Sequence, residues 1–153
     1  VPALAIRLTD LAIAPGPDID TARDGLLKRI DDLDQRYAQV LAPYRGRSVI
    51  TNHGAFNRLL ERYGLRVAGV LRPIETAEPS PQHLAELVQA IGRDGVRAVF
   101  MEPQADPRPA QNLARQTGVA IGTLDPLGSG DWFEMMDANL EALVAAMRAG
   151  DAG

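Results

Sequence analysis

From Ser48 onward, short β-prone runs alternate with amphipathic helical stretches, and few folds accept that order. The runs are Ser48–Thr51, Arg66–Leu71, Ala98–Met101 and Val119–Leu124, with helical stretches over 54–63, 81–94, 107–117 and 131–148. A parallel strand can be reached only by a long crossover, which a helix fills, so a β-α-β-α order implies a mostly parallel sheet with helices on its faces. The expected fold is therefore α/β: a parallel four-stranded sheet flanked by helices. Punctuation agrees with these limits. Glycine follows Tyr63 and Asp94 where helices should stop, and Ser80-Pro81 supplies an N-cap followed by proline in the first turn.

Two helical patterns lie upstream. Residues 2–13 place Leu4, Ala5, Leu8, Leu11 and Ala12 at helical spacing until Pro15-Gly16-Pro17-Asp18 breaks the pattern. From Ile19 to Leu41, the apolar positions Leu26, Leu27, Ile30, Leu33, Tyr37, Val40 and Leu41 step by three and four. Asp18 or Asp20 suits the cap at its start. At about 1.5 Å per residue this helix runs on the order of 30 Å, the breadth of a small domain, and reads as a spine rather than a local connector. The expected organisation is an N-terminal helix and long linker helix over 1–45, then a C-terminal lobe over 46–153.

Composition limits what such a lobe can bind. A net charge of −4 gives nucleic-acid phosphates no broad basic footprint and makes a small cation the easier partner. The chain has no cysteine, so a metal must be held by His, Asp, Glu or carbonyl oxygen. No apolar run approaches the roughly 18 residues needed to span a bilayer, and no basic segment followed by an apolar one opens the chain as in a signal peptide. The sequence starts on Val1 and enters helix-like residues at once, from which we expect that an upstream segment has been removed.

In an open parallel sheet the ligand crevice lies beyond the carboxyl ends of the strands, so the residues after each run are the ones to inspect. They are Asn52-His53, Pro73-Ile74-Glu75, Glu102-Pro103 and Asp125-Pro126: one imidazole and three carboxylates along one edge. His53 and Asp125 are the best pair for a metal, since imidazole and carboxylate are both common zinc ligands. Asp-Pro also suits a turn. Glu102 is another candidate ligand, although a carboxylate before proline equally serves a turn or cap. Glu75 and Glu78 read as solvated or loop-holding, and His83 as a surface residue of a helix. No nucleophile turn, dinucleotide fingerprint or phosphate loop is present, so no catalytic or cofactor-binding residue is assigned. Gly128-Ser129-Gly130-Asp131 before the last helix suits an anion at the helix N-terminus but reads better as a flexible cap, and Trp132, Phe133, Met135 and Met136 as core or interface packing.

Several strings in this order resemble a known family. They are Asn52-His53-Gly54-Ala55-Phe56 with Arg62-Tyr63-Gly64-Leu65, Glu78-Pro79-Ser80-Pro81, Val99-Phe100-Met101-Glu102-Pro103-Gln104, Leu124-Asp125-Pro126-Leu127-Gly128, and Met136-Asp137-Ala138-Asn139-Leu140. The chain resembles the zinc- and manganese-binding solute receptors of ABC importers, the cluster A-I or helical-backbone receptors. In that family two lobes are joined by a long helix and hold a metal between them. The resemblance implies that this chain is the linker helix plus C-terminal lobe, that His53 and Asp125 are its two metal ligands, and that Glu102 belongs to the lobe's frame. Histidine at position 53 favours zinc over manganese.

The resemblance further implies a periplasmic, non-enzymatic receptor that delivers its metal to an ABC permease. Its remaining ligands would come from an N-terminal lobe without counterpart in these residues, and a metallochaperone would be a further partner. Gly54 stands where the family often has Asp. Two other readings stay open from the residues alone: a small metal-dependent enzyme on a flavodoxin-like scaffold, and a protein-interaction module presenting Trp132, Phe133, Met135 and Met136.

Overall fold

The computed structural model describes residues 16–73, 78–128 and 130–152. The helix expected over 2–13, and Glu75, lie outside the described residues. The chain divides into two compact units, with the boundary between Gln39 and Val40.

Helix α1 spans Gly16–Leu41, 26 residues, and starts earlier than the expected Ile19. Pro17 is accepted there because the amides of a first helical turn have no intrahelical partner to lose. Asp18 falls inside the first turn rather than capping it, where its charge complements the helix dipole. Asp20 pairs instead with Arg23 at 2.6 Å. The apolar stripe is shorter than its pattern: Leu33, Tyr37 and Leu41 are buried, whereas Leu26 and Val40 are exposed.

The second unit carries strands β1 (Ser48–Thr51), β2 (Arg66–Val70), β3 (Val96–Met101) and β4 (Ala120–Thr123). They form one four-stranded sheet in the order β2-β1-β3-β4, and every neighbouring pair is parallel. The helices are α2 (Asn57–Arg62), α3 (Pro81–Asp94), α4 (Arg108–Thr117) and α5 (Trp132–Ala152). The expected helix over 54–63 divides into a 3-10 turn, Gly54–Phe56, followed by α2.

All four residues of β1 are buried, as befits a central strand covered on both faces. On one face Ile50 and Val99 pack with Leu87 and Ile91 of α3 and with Ala110 and Leu113 of α4. On the other, α5 lies against β3 and β4. Gly122 makes that approach close: a Cβ there would stand 2.5 Å from Cε1 of Phe100 and 2.9 Å from Cβ of Ala146. Helix α3 starts at Ser80, whose hydroxyl accepts from His83 N–H at 3.1 Å, and ends at Gly95 in the left-handed region with φ 59°. That conformation suits glycine, and the chain enters β3 directly afterwards.

The strand order decides where a ligand can sit. From β1 the chain goes to β2 on one side, then crosses back to β3 on the other. The crevice of such a doubly wound sheet opens beyond the carboxyl ends of the two strands flanking that reversal, here β1 and β3. Among the described residues no helix is long and apolar enough to cross a membrane.

Candidate metal centre

His53 follows β1 with extended backbone, φ −140° and ψ −172°, and the 3-10 turn begins immediately after it. Its Nδ1 lies against Oε1 of Glu102, the residue that follows β3. Because β1 and β3 are paired neighbours, residues just beyond their ends are brought side by side. The imidazole is 23% exposed and the carboxylate only 10%. A carboxylate beside Nδ1 favours the tautomer with its proton on that nitrogen, which keeps the lone pair on Nε2. Glu102 was expected to belong to the lobe's frame; the structure gives it direct contact with the candidate ligand. Ligating histidines commonly hold a carboxylate at their other nitrogen in this way. With Gly54 in place of Asp, Glu102 supplies such a contact from a different strand.

Asp125 is positioned through its backbone. Its N–H donates to Oδ1 of Asn139 and its carbonyl accepts from Nδ2 of the same residue, both at 2.8 Å. Asn139 is buried on α5, so this two-point clamp fixes the turn after β4 to the helix. The carboxylate's Oδ1 accepts from Leu127 N–H at 3.0 Å and from Nε2 of Gln104 at 3.1 Å. The Leu127 amide, then Gln104 and the Gly128 amide, hold the Asp125 carboxyl below the usual aspartate value, since each donor favours the anion. Asn139 stood among the resembling strings without a role. The sequence signal for one is a single amide among the apolar residues of the last helix, since a buried amide needs hydrogen-bond partners.

The two candidate ligands border different cavities. One, of about 140 Å³, is lined by His53, Glu102, Asn52, Arg72 and Gln104. The other, of about 270 Å³, has Asp125, Asp131, Glu134 and Asn139 in its wall. Gln104 belongs to the first and bonds to the carboxylate of the second, which links them. Among the described residues no three of His, Asp and Glu gather closely enough to hold a metal ion together.

The other candidates have settled roles. Glu78 pairs with Arg72 at 3.0 Å. His83 does more than face solvent: its Nε2 bonds to the carbonyl of Val70 at 2.8 Å and ties α3 to the end of β2. Asp131 caps α5, accepting from Phe133 N–H at 2.7 Å and Glu134 N–H at 3.2 Å. Trp132 is 50% exposed, packed edge-on against Phe133 with ring centres 5.0 Å apart, and Leu127 is 74% exposed. These residues are therefore outside the core of this lobe.

The architecture is shared with solved solute-binding proteins, one of them in complex with a metal. The solute-binding protein FpvC of Pseudomonas aeruginosa, in complex with Mn2+, matches with a TM-score of 0.78 and 26% identity, over 98% of this chain and 56% of that one. The laminin-binding protein Lbp of Streptococcus pyogenes matches with a TM-score of 0.79 and 28% identity, over 94% of this chain and 58% of that one. The chain belongs to the ZnuA family, zinc-uptake complex component A, periplasmic, whose family model matches residues 3–146. Among curated relatives, the zinc-binding lipoprotein AdcA of Streptococcus pneumoniae strain R6 is 30% identical over 126 residues, 76% of this chain and 25% of that protein. The chain thus spans about a quarter of that relative's length and somewhat over half of the solved receptors.

Proposed function

We propose that this chain is the linker helix, within residues 1–45, and the C-terminal metal-binding lobe, residues 46–153, of a receptor that captures zinc for an ABC importer. His53 and Asp125 are its ligands. The observation that carries the reading is the Glu102 carboxylate against Nδ1 of His53, the kind of partner that ligating histidines commonly hold at the nitrogen away from the metal. The family and the zinc-binding relatives support zinc as the cargo, and a manganese complex among the structural neighbours makes manganese the competing ion.

Two ligands fall short of the three or four protein groups of a tight zinc site, so the others come from a second lobe outside these residues. The lobe binds and releases metal without catalysis, outside the cytoplasmic membrane, and hands it to the permease. Leu127, whose N–H bonds the Asp125 carboxylate, and Trp132 are both exposed and suit contact with the partner that receives it.

Zinc titration by calorimetry of the full-length gene product, wild type against His53→Ala and Asp125→Ala, tests this reading. Each variant should bind at least tenfold more weakly, a loss of about 1.4 kcal/mol or more. Unchanged affinity in both, with folding intact, would remove the metal assignment and leave the exposed Leu127 and Trp132 as the better guide to function.

A further inference from the structure

We propose that Arg72 is a built-in counter-charge that weakens the lobe's hold on a divalent cation at His53 and so sets the affinity of the site. This rests on the metal reading of His53 given above. Past the ends of β1 and β2 the two chains stay joined: Leu71 N–H donates to the carbonyl of Thr51 and Arg72 N–H to that of Asn52, each at 2.7 Å. The second bond holds the Arg72 backbone against Asn52, the residue immediately before His53, at the crevice. Arg72 and His53 line the same cavity of about 140 Å³, together with Glu102.

The guanidinium is shielded from solvent, and among the described residues the carboxylates that feel its charge, Glu78 and Asp106, belong to loops beside the cavity. The Arg72 side chain is only 12% exposed, and Nη2 reaches Glu78, a carboxylate that is itself 65% exposed. Its Nε is buried without a hydrogen-bond partner among the described residues. The nearly buried carboxylate of this cavity, Glu102, is already turned to Nδ1 of His53. Arginine does not shed its proton, so the charge is permanent. In the metal-free lobe it offsets the Glu102 carboxylate. When a divalent cation arrives on His53, the same charge faces it across a small cavity where repulsion is screened far less than in bulk water. The negative groups Asp125, Asp131 and Glu134 border the other cavity, whereas in this one Arg72 stands beside the Glu102 carboxylate and weakens its pull on the cation. The site binds firmly enough to capture metal yet retains a force that favours release.

Zinc titration of the full-length gene product, comparing wild type with Arg72→Gln, Arg72→Lys, Glu78→Gln and His53→Ala, gives this proposal a distinctive sign. Arg72→Gln should bind zinc about tenfold tighter, equivalent to about 1.4 kcal/mol, with the gap narrowing as salt is raised. Arg72→Lys, which keeps the charge, should stay near wild type. Glu78→Gln, which leaves the guanidinium less neutralised, should bind more weakly and carries the test if Arg72→Gln fails to fold. Equal or weaker binding in a folded Arg72→Gln would overturn the proposal and make Arg72 a structural group or the anchor of an anion accompanying the metal. If His53→Ala binds as wild type does, the metal reading fails and this proposal falls with it; loss in His53→Ala without tightening in Arg72→Gln rejects the counter-charge alone.

Discussion

Three donors converge on the carboxylate of Asp125, from Leu127, Gln104 and Gly128, and they lower its proton affinity before any metal arrives. The folded carboxyl therefore titrates below its unfolded value of about 3.9. Its contribution to stability is complete above that unfolded value and is lost as pH falls through the lower folded one. Carbon-detected NMR of the metal-free protein should find Asp125 titrating below an ordinary aspartate, and Gln104→Ala should move it upward. An unmoved titration would show that Gln104 does not act as a donor in solution. His53 and Asp125 were legible as candidates because each follows a strand, and strand ends point at the crevice. The contacts around them were less so. Glu102 meets His53 only because β3 pairs with β1, and Asn139 reaches Asp125 from 14 residues away on another element. Neither relation follows from local spacing.

Helices and strands in this lobe are adjusted to one another by glycines that do opposite things. Gly122 stands where a Cβ would strike Phe100 and Ala146, while a Cβ at Gly92, in α3, would meet nothing within 4 Å. Gly122→Ala should therefore destabilise by roughly 1–3 kcal/mol through overpacking. Gly92→Ala should stabilise by up to about 1 kcal/mol, since alanine suits a helix interior better than glycine. Urea unfolding at constant slope checks both; matching signs would mean that α5 is not seated closely on β4. The order and type of the elements were legible from periodicity, and so were the ends of α3, because Ser80, Pro81 and Gly95 are local signals. The 3-10 turn after His53 was not, as Gly54-Ala55-Phe56 continues the helical pattern of α2 without a break.

For the whole molecule, cargo and stability are linked, because an ion that binds only the folded state stabilises it. Zinc at about a hundred times its dissociation constant should add about 2.7 kcal/mol to the full-length gene product, read as a rise in melting temperature that a chelator reverses. A melt unaffected by zinc would contradict capture at this site. The sheet order has a separate consequence, for how the molecule is made. Strand β1 is the first of the four to be synthesised, yet it takes the centre, with β2 on one side and β3 on the other. Its second neighbour does not exist until residue 96 has emerged. Until then a strand whose four residues are all buried in the finished lobe has one open edge, and closing it demands a loop of some tens of residues, the kind of distant pairing that slows folding. A newly made chain thus passes through an interval in which the centre of its sheet is still unguarded on one side.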